Sequence, residues 1–297
     1  MAARINIIGC GRAAGSLARL WVQANTVSIG DVSNRSKASS LRAVHQVGAG
    51  NVVNNIAEME AADYWLIGTN DDQLAGVSEL MAETRQDLCG SLVFHLAGRF
   101  GLDVLQPLGK SGALLAALHP VRSLTDAQIS LEGFAGTACV AEGSDVALSM
   151  LEPLLSSIGG TWLPVAAIDR GLYHASVSVI SNITKAVAWK AQKWQRKAGL
   201  PEQTAAAVTH QLLNSTMEDL FNSGAKKSIT GPMVRGDTST IEAHIEAIRS
   251  THPEDVEVYR VLARTVLELA QERGDLDEET WQRFEDLLLQ PALVKRE

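Results

Sequence analysis

The segment IIGCGRAAG at positions 7–15 constrains this chain most, because it follows an apolar run at 5–8 directly and opens a stretch of helical period. Glycines between a strand and a helix let the backbone turn tightly and approach a pyrophosphate. Its charge then meets unpaired N–H groups at the helix start. Gly9 and Gly11 take the first two places of a GxGxxA pattern and Ala14 the third, with Gly15 one residue later. Together with Arg12 and Ala13 they are the candidate diphosphate-binding residues. The pattern alone also serves as a plain tight turn; its place at the first strand-to-helix junction favours a nucleotide.

From Arg4 to about Pro120, short apolar runs alternate with segments of helical period, which is how a parallel sheet with crossover helices reads. The candidate strands are 5–8, 27–33, 52–53, 64–68, 92–96 and 113–118. Leu17, Leu20, Trp21 and Ala24 mark one helix stripe, and Leu74, Val77, Leu80 and Met81 another. Two further strand-like pieces, 137–141 and 161–165, flank a helical stretch at 146–155 and extend the sheet at its edge. Beyond Val165 the reading is helical: 174–195, 203–221, a helix starting near Ser239, then 254–271 and 278–289, with Gly274 placed to end the first of this last pair. The expected architecture is α/β, a Rossmann-type, mostly parallel sheet over 1–165 followed by an all-helical domain over 166–297.

Composition narrows the function classes. Apolar residues make up 46% and charged residues 20% of 297, enough for a buried core. A net charge of −8, with 26 Lys and Arg scattered along the chain, disfavours nucleic acid as a partner. Cys10, Cys89 and Cys139 are far apart and odd in number, which fits a reducing compartment. No apolar stretch approaches the ~20 residues that span a bilayer, and no leader is legible before the first strand. These features predict a cytoplasmic protein without a membrane partner. No pair of histidines has metal-ligand spacing, so no metal is expected.

The end of the second strand selects the cofactor. Asp31 lies twenty residues beyond Gly11, which leaves NAD open, whereas Asn34, Arg35 and Ser36 resemble a cup for the extra phosphate of NADP. Arg35 has an alternative as a solvated residue opening the next helix. Thr69 and Asn70 follow the fourth strand, and His95 and Ala97 the fifth, on the edge where open α/β sheets bind ligands. Asp71 and Asp72 serve equally well as helix caps.

His119-Pro120 ends the sixth strand on that same edge, and histidine is the side chain best suited to proton transfer near neutrality. His174, Ser178 and Asn182 are spaced by four on the first long helix of the second half. Val177, Val179, Ile180, Ile183 and Val187 on its other sides point to burial, so the polar stripe is expected to face a cavity rather than solvent. In the run 228–238, Arg235 and Asp237 are candidates for an anionic substrate, unless Asp237 simply caps a helix and pairs with Arg235.

These motifs together, IIGCGRAAG, the segment 95–98, His119-Pro120, Tyr173-His174 through Asn182 and TGPMVRGD at 230–237, resemble a family of Rossmann-like proteins whose second half is a domain of unknown function. That family is similar to the 6-phosphogluconate dehydrogenase, ketopantoate reductase and pyrroline-5-carboxylate reductase group. The resemblance covers about residues 4–250. It implies an NADP-preferring dehydrogenase or reductase whose helical domain commonly dimerises. Several of the wider relatives use a Lys and an Asn four residues apart; with Asn182 as that Asn, the Lys position falls on Ser178. His174 or His119 then has to supply the proton. The expected reaction is hydride transfer between NADP(H) and a small carbonyl, hydroxy-acid or imine substrate held between the two domains. The competing expectation is a sensor or assembly protein that binds a dinucleotide without turning it over.

Overall fold

Strand residues with period-two apolar patterning on both faces need cover on both sides, and the sheet supplies the frame for it. The computed structural model describes residues 3–122, 124 and 130–289. The chain divides into two units, Met1–Ile180 and Ser181–Glu297.

In the first unit, β1 (Arg4–Ile8), β2 (Ser28–Ser33), β3 (Asn51–Val52), β4 (Tyr64–Ile67), β5 (Leu92–His95), β6 (Leu114–Pro120), β7 (Ala138–Gly143) and β8 (Thr161–Pro164) form one sheet in the order β3-β2-β1-β4-β5-β6-β7-β8. All pairs are parallel except β6 with β7. The reversal of order at β1 creates a switch point beside the glycine loop, where such sheets bind ligands.

Alternate residues of each strand feed two cores. Ile5, Ile7, Leu66, Leu92, Phe94, Ala116 and Leu118 pack with Leu17, Leu20 and Trp21 of α1 (Arg12–Gln23). Ala43 and Val47 of α2 (Lys37–Val47) join the same layer. On the opposite face Ile8, Trp65, Ile67 and Val93 pack against Leu74 and Met81 of α3 (Leu74–Thr84), with Leu105 and Leu108 of a 3-10 segment, while Leu80 on the outer side of α3 stays exposed. After the short α4 (Leu131–Phe134), α5 (Asp145–Ser156) crosses from β7 to the parallel β8, and its Leu154 carbonyl accepts the indole N–H of Trp21 at 2.8 Å. The unit closes with α6 (Arg170–Ser178), capped by the Asp169 carboxylate on the Leu172 N–H.

The helix expected over 174–195 is interrupted. A π turn, Val179–Ile183, separates α6 from α7 (Thr184–Lys197). The second unit continues with α8 (Glu202–Ser223), α9 (Ala225–Ser228), α10 (Thr238–Thr251), α11 (Val256–Arg273) and α12 (Glu278–Leu289). Its core unites Ile241, Ile245 and Ile248 of α10 with Val256, Ala263 and Leu267 of α11 and with Phe284 and Leu288 of α12. The Asp255 carboxylate, buried where α11 begins, accepts from Lys190 Nζ at 2.5 Å and Trp194 Nε1 at 2.9 Å, and so ties α7 to that bundle. Gly274 ends α11 in the left-handed conformation at φ 83°, as its place in the sequence predicts.

The burial expected along this segment also fails. Val179, Ile180, Ile183 and Val187 are expected to be buried but are 51%, 77%, 48% and 37% exposed, and Val177 is half-buried. Helical period marks a face that needs cover; it does not say that the same chain provides it.

Candidate functional site

The glycine loop is built for close approach. Gly9 has φ +80°, and a Cβ there would fall 2.5–2.8 Å from Cγ2, N and Cα of Thr69. A Cβ on Gly68 would strike that of Ala14 at 2.4 Å. Gly11, by contrast, has an ordinary φ of −83° and only one atom, the Gly68 carbonyl oxygen at 3.8 Å, within 4 Å of a would-be Cβ. It caps α1 without a side chain, and no acidic residue stands in the first turn. The N–H groups of Arg12, Ala13 and Ala14 therefore lie at a helix start with no earlier turn to accept them. Thr69 Oγ1 is buried at the same loop without a partner among the described residues.

Asn34 closes the loop from β2: its Oδ1 accepts the Cys10 N–H at 2.6 Å, and its own N–H donates to Ser40 Oγ at 2.9 Å. A cavity of about 290 Å³ opens there, lined by Cys10, Gly11, Arg12, Gly15, Asn34, Ser39, Arg42, Ala43 and Gln46. Ser36 is the N-cap of α2 in a reciprocal capping box with Ser39, and Arg35 and Asn70 are exposed. Asp31 lies inside β2, buried, where it accepts the Glu60 N–H at 2.7 Å and pairs with Arg4 at 3.1 Å. Its carboxylate is thus occupied within the sheet. Sequence reasoning missed Ser39, Arg42 and Gln46; their mutual spacing of three and four residues along α2 was the available signal.

Register assembles the second part of the site. His95 on β5 stands opposite Ala117 on β6, and Ala117 opposite Glu142 on β7, with His119 two residues further along the same face. Both His95 nitrogens are engaged: Nδ1 accepts the Ala97 N–H at 3.1 Å, which leaves Nε2–H to donate to the Gly101 carbonyl at 3.0 Å. Burial pushes its pKa down to about 4. His95 thereby fixes the loop that carries Ala97 and Gly98.

Above that loop, α6 brings Tyr173 and His174. The rings of His119 and His174 lie 6.0 Å apart at 70°, and both close on Gly98, where a Cβ would meet His174 Cδ2 at 2.8 Å and His119 Nε2 at 2.9 Å. The Tyr173 hydroxyl lies 2.8 Å from His119 Nδ1. Burial, then the neighbouring His174 and Arg170 charges, push the His119 pKa down to about 4. Arg170 is itself buried, with Nε and Nη2 at 2.9 Å and 2.8 Å from Glu142 Oε2 and its Cζ 5.8 Å from the Tyr173 ring centre. The Glu142–Arg170 pair is not legible in the sequence, since residues 28 positions apart meet only through the β7 register.

His119, His174, Ala97 and His95 are thus brought together, and Ser178 follows on α6, half-buried. Asn182 lies in the π turn and is exposed. In the second unit Asp237 is the N-cap of α10, accepting from Thr240 N and Oγ1 and from Ser239 Oγ at 3.1, 2.6 and 2.8 Å, and these bonds hold its pKa down to about 2. Arg235, two residues earlier, is exposed. Among the described residues no cluster of three or more His, Cys, Asp or Glu side chains could hold a metal, and no helix is long and apolar enough to cross a membrane.

A switch-point sheet with a glycine loop, carrying paired imidazoles at the carboxyl ends of its strands, defines a Rossmann-type unit. More particularly, residues 2–120 match the Rossmann-like domain and residues 137–266 the domain of unknown function DUF2520. No curated protein matches it. Among solved structures it is similar to a protein described as an NADP oxidoreductase from Bacteroides fragilis, with 20% identity, TM-score 0.69, and 90% of this chain and 98% of that one covered. It is also similar to an imine reductase from Myxococcus stipitatus in complex with NADP+ (14%, 0.66, 95% and 99%). A pyrroline-5-carboxylate reductase from Coxiella burnetii shares the fold as well (16%, 0.57, 97% and 99%).

Proposed function

We propose that this protein is an NADP-dependent oxidoreductase that moves a hydride to or from a small carbonyl, hydroxy-acid or imine substrate. The observation that carries this reading is the convergence of His119 and His174 over Gly98, at the carboxyl ends of β5 and β6, on the sheet edge that also carries the glycine loop. The activities named for the similar structures, an NADP oxidoreductase, imine reductases and a pyrroline-5-carboxylate reductase, support it.

The residues fit a dinucleotide. The cleared space at Gly9 and Gly11, the free N–H groups opening α1 and the orphaned Thr69 hydroxyl suit a diphosphate, and the Arg12 and Arg42 guanidinium groups beside Asn34 and Ser39 suit the additional phosphate of NADP. When bound, the nicotinamide supplies or takes the hydride. The chain's own task is to orient the acceptor carbon, exclude water and move one proton to or from the adjoining oxygen or nitrogen. His174 and His119 are the candidates for that proton, with Asn182 as a hydrogen-bond partner of the reacting atom and Arg235 as an anchor for a substrate carboxylate.

A homodimer belongs to the same reading. In the second unit, α7 and α8 leave Trp189, Leu212 and Phe221 exposed at 56%, 62% and 82%, an apolar surface of the kind that subunit contacts cover.

The test is turnover. Purified protein with NADPH is offered a panel of 2-oxo acids and cyclic imines. The reading expects oxidation of NADPH with at least one of them and its loss in His174→Ala. Binding of NADPH with no turnover across the panel, and a His174→Ala variant with undiminished physiological activity, would instead support a dinucleotide sensor.

A further inference from the structure

Tyr173 is not among the residues to which sequence reasoning assigns a role, yet it makes a direct polar contact with His119. Its hydroxyl lies 2.8 Å from His119 Nδ1, with the rings edge-on at 89° and centroids 5.6 Å apart. A neutral imidazole carries one proton, and the hydrogen bond made by one nitrogen decides which of the two holds it. Were the proton on Nδ1, the phenol would have to accept it and turn its own proton elsewhere; among the described residues that hydroxyl has no second partner. The phenol donating to Nδ1 satisfies both groups. Nε2–H then faces Gly98, where among the described residues it meets no hydrogen-bond acceptor and where His174 also closes in.

We propose that Tyr173 is a positioning residue that fixes His119 as its Nε2–H tautomer, so that His119 serves as a neutral hydrogen-bond donor to the reacting oxygen or nitrogen while His174 alone transfers the proton. This rests on the oxidoreductase reading and divides the labour it leaves open between the two histidines. In the reductive direction the hydride adds to the carbon, the C=O or C=N π pair moves onto the heteroatom, and that atom takes its proton from the His174 imidazolium. His119 keeps its own proton throughout. A neutral imidazole is a competent electrophile in this role, since its donor strength needs no ionisation. Two circumstances favour the neutral form: burial raises the Tyr173 pKa and keeps the phenol protonated, and the Arg170 cation held by Glu142 sits where a second positive charge on His119 would be opposed.

The experiment needs no substrate. Long-range 1H–15N correlation spectra of histidine-labelled protein, with His119 identified by the signals missing from His119→Gln, read the tautomer directly. The wild type is expected to show Nδ1 as an unprotonated acceptor and Nε2 protonated, in one dominant form. Tyr173→Phe, which keeps the ring and its packing, is expected to convert this into an exchanging mixture of both tautomers. A wild-type proton on Nδ1, or a His119 spectrum unchanged by Tyr173→Phe, would overturn the proposal. Since these spectra are recorded without turnover, their outcome is separable from failure of the substrate panel. Once a substrate is known, Tyr173→Phe should lower kcat about tenfold with KM for NADPH unchanged, whereas a merely structural role would lower both functions together.

Discussion

Gly98 runs so close beneath His119 that a methyl group on its α-carbon would fall 2.9 Å from Nε2, and the same methyl would fall 2.8 Å from Cδ2 of His174. The missing side chain is what lets the two imidazoles share one small region. Gly98→Ala is therefore expected to displace both rings. A misplacement of ~1 Å in a catalytic group costs on the order of 100-fold in rate, so kcat should fall by about that factor while the Kd for NADPH stays within a few fold. Steady-state kinetics and a binding titration check the pair; equal losses in both would point to general misfolding.

Arg42 projects from α2 into the cavity beside Asn34 and Arg12, while Asp31 is committed to Arg4 and to the Glu60 N–H. The pocket thus offers cations and withholds a carboxylate from the ribose. A charge-assisted hydrogen bond is worth ~1.5–3 kcal/mol, so Arg42→Ala should weaken NADPH binding by roughly tenfold to a hundredfold and leave NADH nearly unaffected. Parallel fluorescence titrations measure it, and an equal loss for both nucleotides would remove Arg42 from phosphate recognition.

The Glu142–Arg170 pair is buried, with side-chain exposures of 10% and 5%. Removing one member leaves the other charged and dry, at a cost of ~3–5 kcal/mol. Glu142→Ala should accordingly lower the midpoint of urea unfolding markedly. The double variant Glu142→Leu/Arg170→Met, which removes both charges, should recover much of the loss. A double variant no more stable than the single one would assign the effect to packing instead.

The histidines set a pH dependence with a definite sign. His95 and His119 both have folded pKa values of about 4 against an ordinary 6.5, first because they are buried. Between those values the unfolded chain binds protons that the folded chain refuses. The stabilisation is complete above about pH 6.5, falls as the pH drops and is exhausted below about 4, on the order of 3 kcal/mol for each ring. Urea unfolding from pH 7.5 to 4.5 should show this decline, and proton NMR should find neither ring titrating above pH 5. A titration near 6.5 in either ring would contradict the burial that locates them.

Much of this was legible because strands and the glycine loop announce themselves locally. The run before Gly9 can only be a covered strand, and the eight strand-like pieces all joined one sheet within a residue or two of their expected bounds. What escaped depends on distance in sequence. Glu142 finds Arg170 through the β7 register, Asn34 closes on the Cys10 N–H across 24 residues, and Arg42 reaches the cavity only because α2 packs where it does. The π turn around Asn182 was invisible because α and π turns share the same apolar spacing over so few residues. The exposed Ile180 and Ile183 show the limit of periodicity, which marks a surface that wants a partner without naming one.

The proposed function requires the opening of α1 to hold a dinucleotide diphosphate, and Gly11 offers the cleanest access to it. Its φ of −83° and the open space at its α-carbon tolerate a side chain, so Gly11→Asp should fold normally while setting a carboxylate among the phosphates. Isothermal titration calorimetry with NADPH is predicted to show one site per chain in the wild type and none in Gly11→Asp. No heat of binding from well-folded wild-type protein with either NADPH or NADH, or undiminished binding by the variant, would contradict it.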